Sequence, residues 1–289
     1  MSQNLIKQMG NQPQLKPLSL SHTLSIVIAS YNCEERIEQT ILPWSGLAQE
    51  IIVVDQNSSD KTAEIAKTLG CVVTQNLPPD GNFNLNRRLG MEQAKSNWIL
   101  YMDTDERPTD ELLTEIQNFL ISPPLGIEGV QIPNLFYFLG KPLRYGLYSK
   151  HSAELRMFQK GKWSYPTEDS VHRSVTVEGG VFTFKNPYRH FNVNSLSEWF
   201  MKTNQYTEHD VSKRNASIRT YSAFYQAFCF FIKNYFFRLG FLDGFRGLLS
   251  VFYFMLYHLT LEVKGWERSQ WKSLEYEKDW IKPFLIPKR

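Results

Sequence analysis

The chain has 289 residues, 42% hydrophobic and 14% aromatic, with a net charge of +3; that is enough for one large domain or a domain with an appendage. The small net charge hides an asymmetry, since residues 1–212 carry 19 Lys and Arg against 23 Asp and Glu, and residues 213–289 carry 13 against 6. Cys33, Cys71 and Cys229 are widely spaced and form no Cys-x-x-Cys, which argues against a disulfide framework or a zinc site and fits a reducing compartment.

In chain order, residues 1–23 are polar with two prolines and no apolar core of signal-peptide type; they read as a flexible leader on a cytosolic protein. Leu24 to Ser30 is apolar and β-branched, so it is expected as a buried parallel strand, followed by a helix over 34–42. Ile51 to Asp55 is a second such strand, with helix-capping residues at 57–60 and a periodic run to Leu69. A short strand over 71–74, a helix over 84–95, the strand Trp98 to Asp105 and a helix from Thr109 to Ile121 follow. Strands alternating with helices predict an α/β, Rossmann-like, doubly wound sheet, in which ligands bind beyond the carboxyl ends of the strands.

Asp55, Asp103 and Asp105 sit at such ends. Side-chain alternation along a strand places Asp103 and Asp105 on one side, and two crowded carboxylates call for a cation between them. Mg²⁺ or Mn²⁺ is the natural occupant, because hard cations take carboxylate oxygens and keep positions for phosphates. The competing role is capping of the helix near Thr109. Arg87 or Arg88 offers a charge-assisted contact to phosphates, or else a solvated helix face. No Gly-x-Gly-x-x-Gly or Gly-Lys-Ser/Thr loop is present, which disfavours dinucleotide redox chemistry and P-loop hydrolysis.

Ser25-Ile26-Val27-Ile28-Ala29-Ser30-Tyr31-Asn32, Ile51 through Thr62 and Asp103-Thr104-Asp105 together resemble family 2 glycosyltransferases of GT-A fold, enzymes of hexosyltransferase type. Trp163 through Tyr206 and Gly240 through Leu248 are similar to the bacterial subgroup that adds sugars to lipopolysaccharide core. The resemblance implies that Tyr31 and Asp55 belong to the nucleotide site, with Asp55 on the base, most often uracil. It places Asp103 against ribose and metal, and Asp105 on the metal that bridges the diphosphate. Family 2 enzymes generally invert the anomeric centre, which needs a carboxylate to take the acceptor proton. Glu168 and Asp169 resemble the family's acceptor-site pair, with Asp169 preferred. The subgroup usually has Glu after its Val-His pair, whereas Arg173 stands here. His190, and less so His172, is a further expected metal or diphosphate contact, against the ordinary role of a hydrogen-bonding histidine.

The expected organisation is a leader over 1–23, a glycosyltransferase domain over 24–212 and a basic, aromatic helical tail over 213–289. Its nucleotide half spans 24–122 and its acceptor half 123–212. Within the acceptor half, the loop from Gly140 to His151 is basic and aromatic, and faces either an anionic or sugar acceptor or water. The tail's apolar runs are too short to span a bilayer comfortably and are flanked by Lys and Arg, so they read as interfacial helices on an anionic membrane surface. A helical-hairpin core and an oligomer interface are the alternatives. The function expected is a metal-dependent inverting transferase at the cytoplasmic face of the membrane. It uses a nucleotide-sugar donor, UDP-linked by preference, and a glycan or lipid-linked envelope acceptor. The rivals are a nucleotidyltransferase, disfavoured by the glycine-poor loop at 31–36, and a non-catalytic membrane scaffold. A nucleic-acid binder is disfavoured because the tail's aromatics lie in apolar runs.

Overall fold

A computed structural model describes residues 21–77, 83–146, 153–165, 175–213 and 220–271. They fall into two compact units, one drawn from Met1–Leu135 and His151–His190, the other from Phe136–Lys150 and Phe191–Arg289. The first unit begins β1 (Leu24–Ser30), α1 (Ile37–Ile41), β2 (Glu50–Asp55), α2 (Thr62–Thr68), β3 (Val72–Gln75) and α3 (Phe83–Gln93). It goes on with β4 (Trp98–Asp103), β5 (Glu106–Pro108), α4 (Asp110–Ile121) and β6 (Ile127–Ile132). Strand β7 (Asn134–Phe138) leads into the second unit, which holds β8 (Lys141–Pro142). The first unit resumes with β9 (Glu154–Gln159), β10 (Trp163–Ser164), β11 (Thr176–Val177), β12 (Gly180–Thr183) and the first half of β13 (Tyr188–Val193), whose residues from Phe191 on belong to the second. The second is completed by α5 (Leu196–Lys213), α6 (Thr220–Ile232) and α7 (Gly244–Trp271).

A seven-stranded sheet in the order β12-β6-β9-β4-β1-β2-β3 is the frame of the first unit. Strands β3, β2, β1 and β4 are parallel, as helical crossovers require. All seven residues of β1 are buried. Ile26 and Ile28 pack with Ile37, Ala66 and Leu112 from α1, α2 and α4. Val27 turns the other way, onto Met91 from α3 and Ala94 just beyond it. Helices therefore cover both faces, and this half is doubly wound. The other half is mixed: β9 runs antiparallel to both β4 and β6. Among the described residues no helix lies between β6 and β9, so the returning strand arrives without the crossover that parallel pairing needs. Helix α4 starts where the Thr109 hydroxyl accepts the Leu112 N–H at 3.1 Å, and stops before Pro123-Pro124. The cap is thus Thr109 itself, not Asp103 or Asp105.

The second unit has its own core of Phe136, Phe138, Leu143, Val193, Trp199 and Tyr253. Helices α5 and α7 are tied by Lys264, whose ammonium donates to Asn204 and pairs with Glu208 at 3.0 Å, and by a Tyr257–Asp210 hydrogen bond. No single helix among the described residues is long and apolar enough to cross a membrane. The segments Phe224–Phe237 and Gly240–Arg268 pass that test of length and composition only as a pair, bent by 73°.

The seat of α3 on the sheet gives a stability prediction. A Cβ at Gly90 would collide with the branched side chains of Val27 and Val54, which have no flexible end to move aside. Gly90→Ala should destabilise the protein by about 1–2 kcal/mol in urea unfolding, because overpacking outweighs alanine's helix propensity.

Candidate active site

The parallel register brings the carboxyl ends of three strands together. Ser30 stands opposite Asp55, and Ala29 opposite both Val54 and Asp103. Asp55 is fully buried, and its carboxylate organises the loop that follows β2. Oδ1 accepts from the Ser30 and Ser58 hydroxyls at 3.0 and 2.6 Å, and Oδ2 accepts the Ser58 N–H at 2.8 Å. The loops after β1 and β2 are then sewn together by side chain to backbone bonds. Asn32 Oδ1 accepts the Ser59 N–H at 2.9 Å, and the Ser58 hydroxyl accepts the Asn32 N–H at 2.9 Å. Asn32 and Asn57 adopt positive φ, at 42° and 51°, a region Asn tolerates better than most residues. The two loops form a polar depression lined by Asn32 through Arg36 and Asp60, with Tyr31 exposed beside it.

Strand β4 ends at Asp103, so strand alternation does not set the direction of Asp105, which lies in the following turn. Asp103 is gripped by Arg87, whose Nη2 lies 2.6 Å from both carboxylate oxygens and whose Nε donates to Oδ1 at 3.0 Å. Burial works to raise the Asp103 pKa, but Arg87 and Arg156 outweigh it and hold the carboxylate below its usual range, with Asp105 opposing them. Arg87 also bonds the hydroxyl of Tyr165, the last described residue before the segment with Glu168 and Asp169. Arg88 points elsewhere and pairs with Glu92 at 2.8 Å. Glu168, Asp169 and His172 lie outside the described residues.

Asp105 and His190 come together, with Oδ1 and Nε2 3.6 Å apart. Burial would lower the His190 pKa, but the hydrogen bond to Asp105 and the charges of Glu106, Asp105 and Asp103 raise it above the ordinary imidazole value. On the far side of the ring, Asn134 Nδ2 lies 3.2 Å from Nδ1, and Asn134 Oδ1 is buried with no hydrogen-bond partner. Rotating that amide by 180° satisfies the orphaned oxygen, which then accepts Nδ1–H. The protonated ring donates Nε2–H to Asp105; once that proton leaves, with Nδ1–H held by Asn134, the Nε2 lone pair is presented on the Asp105 side, as in a metal-binding histidine braced by an outer hydrogen bond. Asp105 and His190 therefore fit a divalent cation. Among the described residues no group of three or more His, Cys, Asp or Glu is placed to hold a metal ion, so the pair alone would need substrate oxygens to complete a cation's shell.

Beneath this pair is a group of residues that sequence reasoning missed. Glu106 is fully buried and Arg156 nearly so. The guanidinium donates from Nη2 to Glu106 Oε1 at 2.8 Å and from Nη1 to Oε2 at 3.3 Å. It also pairs with Glu154 at 2.7 Å and donates to the Tyr188 hydroxyl at 3.0 Å. Its carbon lies 4.8 Å from the Tyr101 ring centroid and 5.0 Å from that of Tyr188, a cation held between two aromatic rings. Glu106 Oε2 in turn accepts the Asp103 N–H at 2.8 Å. Burial pushes the Glu106 carboxyl up to about 7 despite Arg156 beside it. The one available signal was an arginine inside the apolar run Leu155 to Phe158.

A family model described as Glycosyl transferase family 2 matches residues 25–183. The chain is 26% identical to an uncharacterised glycosyltransferase of Rickettsia prowazekii over 244 residues, 78% of this chain and 81% of that one. It is likewise 26% identical to an uncharacterised glycosyltransferase of Rickettsia bellii over 274 residues, 87% and 92% of the two chains. A similar solved structure is glucosyl-3-phosphoglycerate synthase from Mycobacterium tuberculosis with Mn²⁺, uridine diphosphate and glucosyl-3-phosphoglycerate. Its TM-score is 0.32 at 24% identity, and the match spans 40% of this chain and 45% of that one.

The buried ion pair predicts an asymmetric mutational response. Arg156→Met leaves Glu106 uncompensated and should cost about 3–5 kcal/mol in chemical unfolding, whereas the double variant Arg156→Met with Glu106→Leu should recover most of that loss.

Proposed function

The chain belongs to glycosyl transferase family 2, and from that premise we propose a metal-dependent, inverting enzyme of GT-A fold. It draws on a nucleotide-sugar donor, UDP-linked by preference. Its acceptor is a lipid-linked or other cell-envelope glycan, of lipopolysaccharide-core type, at the cytoplasmic face of the membrane. The observation that carries the reading is the Asp105–His190 pair, backed by Asn134 and set next to the Asp103–Arg87 clamp.

Each part of the site supports a role. Asp105 and His190 would hold Mg²⁺ or Mn²⁺ by Oδ1 and Nε2. When bound, the cation supplies Lewis-acid stabilisation to the negative charge that builds on the departing diphosphate. Asp103 is paired with Arg87, which leaves it suited to a ribose contact and Arg87 to a phosphate contact on donor binding. The laced loops around Asp55 offer polar backbone and side-chain groups to a base. In the transfer itself the bond from the anomeric carbon to the diphosphate oxygen breaks, and its electron pair leaves with the diphosphate. The acceptor oxygen bonds the opposite face of that carbon and gives up its proton to a carboxylate, Asp169 by preference or Glu168. The acceptor assignment rests on the resemblance of residues 163–206 and 240–248 to lipopolysaccharide core enzymes.

Calorimetry with UDP, GDP and CMP, each with and without Mn²⁺, tests the donor class. UDP should bind in a metal-dependent way, and Asp105→Ala should abolish that binding; no nucleotide binding under any metal condition overturns the proposal. The Asn134 brace makes a second prediction: Asn134→Leu should weaken Mn²⁺ affinity by about 10–100-fold with the fold unchanged. The third concerns pH. A proton on His190 excludes the metal, and its pKa is raised above 6.5. Mn²⁺ affinity should therefore fall as pH is lowered through the raised His190 pKa, and His190→Gln should flatten that dependence.

A further inference from the structure

The membrane placement proposed above names a surface but no inserting element. We propose that the bend between α6 and α7, residues 233–246, is an aromatic wedge that enters an anionic lipid bilayer from one side without crossing it.

The bend is a built feature. The chain passes from a π turn at Lys233–Phe237 to a 3₁₀ turn at Gly240–Asp243. Leu239 between them has φ 59°, which a side chain of that kind adopts only when its surroundings impose it. Gly240 and Gly247 let the two arms close, since a Cβ at Gly247 would overlap the Gly240 carbonyl oxygen and one at Gly240 would meet that of Asn234.

At this rigid corner the apolar side chains face outward. Phe237 is 81% exposed and Phe245 72%, with Phe236, Phe241 and Leu242 also exposed. Scattered exposed apolar residues are ordinary, but a concentration of aromatics marks a docking surface.

Two observations favour lipid over a protein partner. The first is charge. From Lys213 to Leu261 the sequence has six Lys and Arg against one carboxylate, Asp243. That carboxylate is turned into the fold, where it accepts the N–H groups of Arg144 and Tyr145 at 3.0 and 2.9 Å. Lys233 opens the bend and Arg238 lies within it; both are exposed, and their long stems can carry the charge out to anionic headgroups.

The second is the backbone. Inside a bilayer each polar main-chain group needs an internal partner. The Arg238, Leu239 and Leu242 N–H groups donate to Lys233, Phe236 and Leu239 carbonyls at 2.9, 3.1 and 2.9 Å, and the Arg238 carbonyl accepts the Gly146 N–H at 2.8 Å. The Gly244 N–H donates to Phe241. Water would satisfy these groups without internal partners and hydrocarbon cannot, so the pairing permits insertion.

The test is co-sedimentation of the full chain with phosphatidylglycerol/phosphatidylethanolamine vesicles and with phosphatidylcholine vesicles, alongside light scattering and nucleotide calorimetry. Wild type should prefer the anionic vesicles, and Phe237→Ser with Phe245→Ser should weaken that binding by about tenfold or more. Both positions are exposed, so the variant should keep its fold and its nucleotide binding. Binding by wild type that the variant retains overturns the wedge and leaves the membrane placement standing. Absence of vesicle binding, or no preference for the anionic vesicles, overturns the wedge, and absence takes the membrane placement with it. A dimer that becomes monomeric in the variant, with vesicle binding unchanged, assigns the surface to a second copy of the chain and also overturns the wedge. Nucleotide calorimetry on the same samples reports separately on the transferase reading.

Discussion

The buried contact between Arg156 and Glu106 holds the site together. It connects the end of β4, the short strand β5, the antiparallel strand β9 and the first residues of β13. Glu106 accepts the Asp103 N–H and stands opposite His190 in the β5–β13 pairing, so one carboxylate fixes the backbone next to both. Desolvation of two such charges costs several kcal/mol each, and their mutual attraction in the interior offsets much of that without a clear surplus. The contribution of the pair is therefore positional. Three hydrogen-bonded partners and two aromatic faces hold the guanidinium in one orientation, and through it the turn that carries Asp105.

The electrostatics of the turn follow from this arrangement. Asp103, Asp105 and Glu106 bring three acidic groups into four residues, and each reaches a different cation or proton. Arg87 takes Asp103, Arg156 takes Glu106, and Asp105 faces His190. The third pairing is the exchangeable one, because an imidazole gives up its proton within the physiological range and a guanidinium does not. In the function proposed above, a divalent cation replaces that proton while the two arginine clamps stay in place. In this arrangement the doubled carboxylate motif is a set of distinct tasks distributed by neighbours.

The second unit follows a different rule. Its core is small, and a large share of its aromatic side chains remains at the surface. Its polar contacts gather between α5 and α7, where Asn204, Glu208 and Asp210 meet Lys264, Arg268 and Tyr257. The corner at 233–246 pairs the Arg238, Leu239, Leu242 and Gly244 N–H groups internally and leaves the Phe237 and Phe245 rings exposed.

Much of this could be read directly from the amino-acid sequence. Continuous β-branched runs closed by Asp55 and Asp103 specify buried parallel strands with acidic ends, because burial on both faces demands unbroken apolar character and the carboxylate must stop at the edge. Periodicity set the helices from 62 to 121 to within a few residues. Tertiary structure alone decided the pairings across long separations. Arg156 looked like one charge in a strand, and Glu106 like the tail of a motif, until β9 came in antiparallel beside β4. Asn134 and His190 are 56 residues apart and meet only because β7 and β13 converge. Which acid meets which base depends on strand order and register, and these are settled by packing of the whole chain rather than by any local pattern.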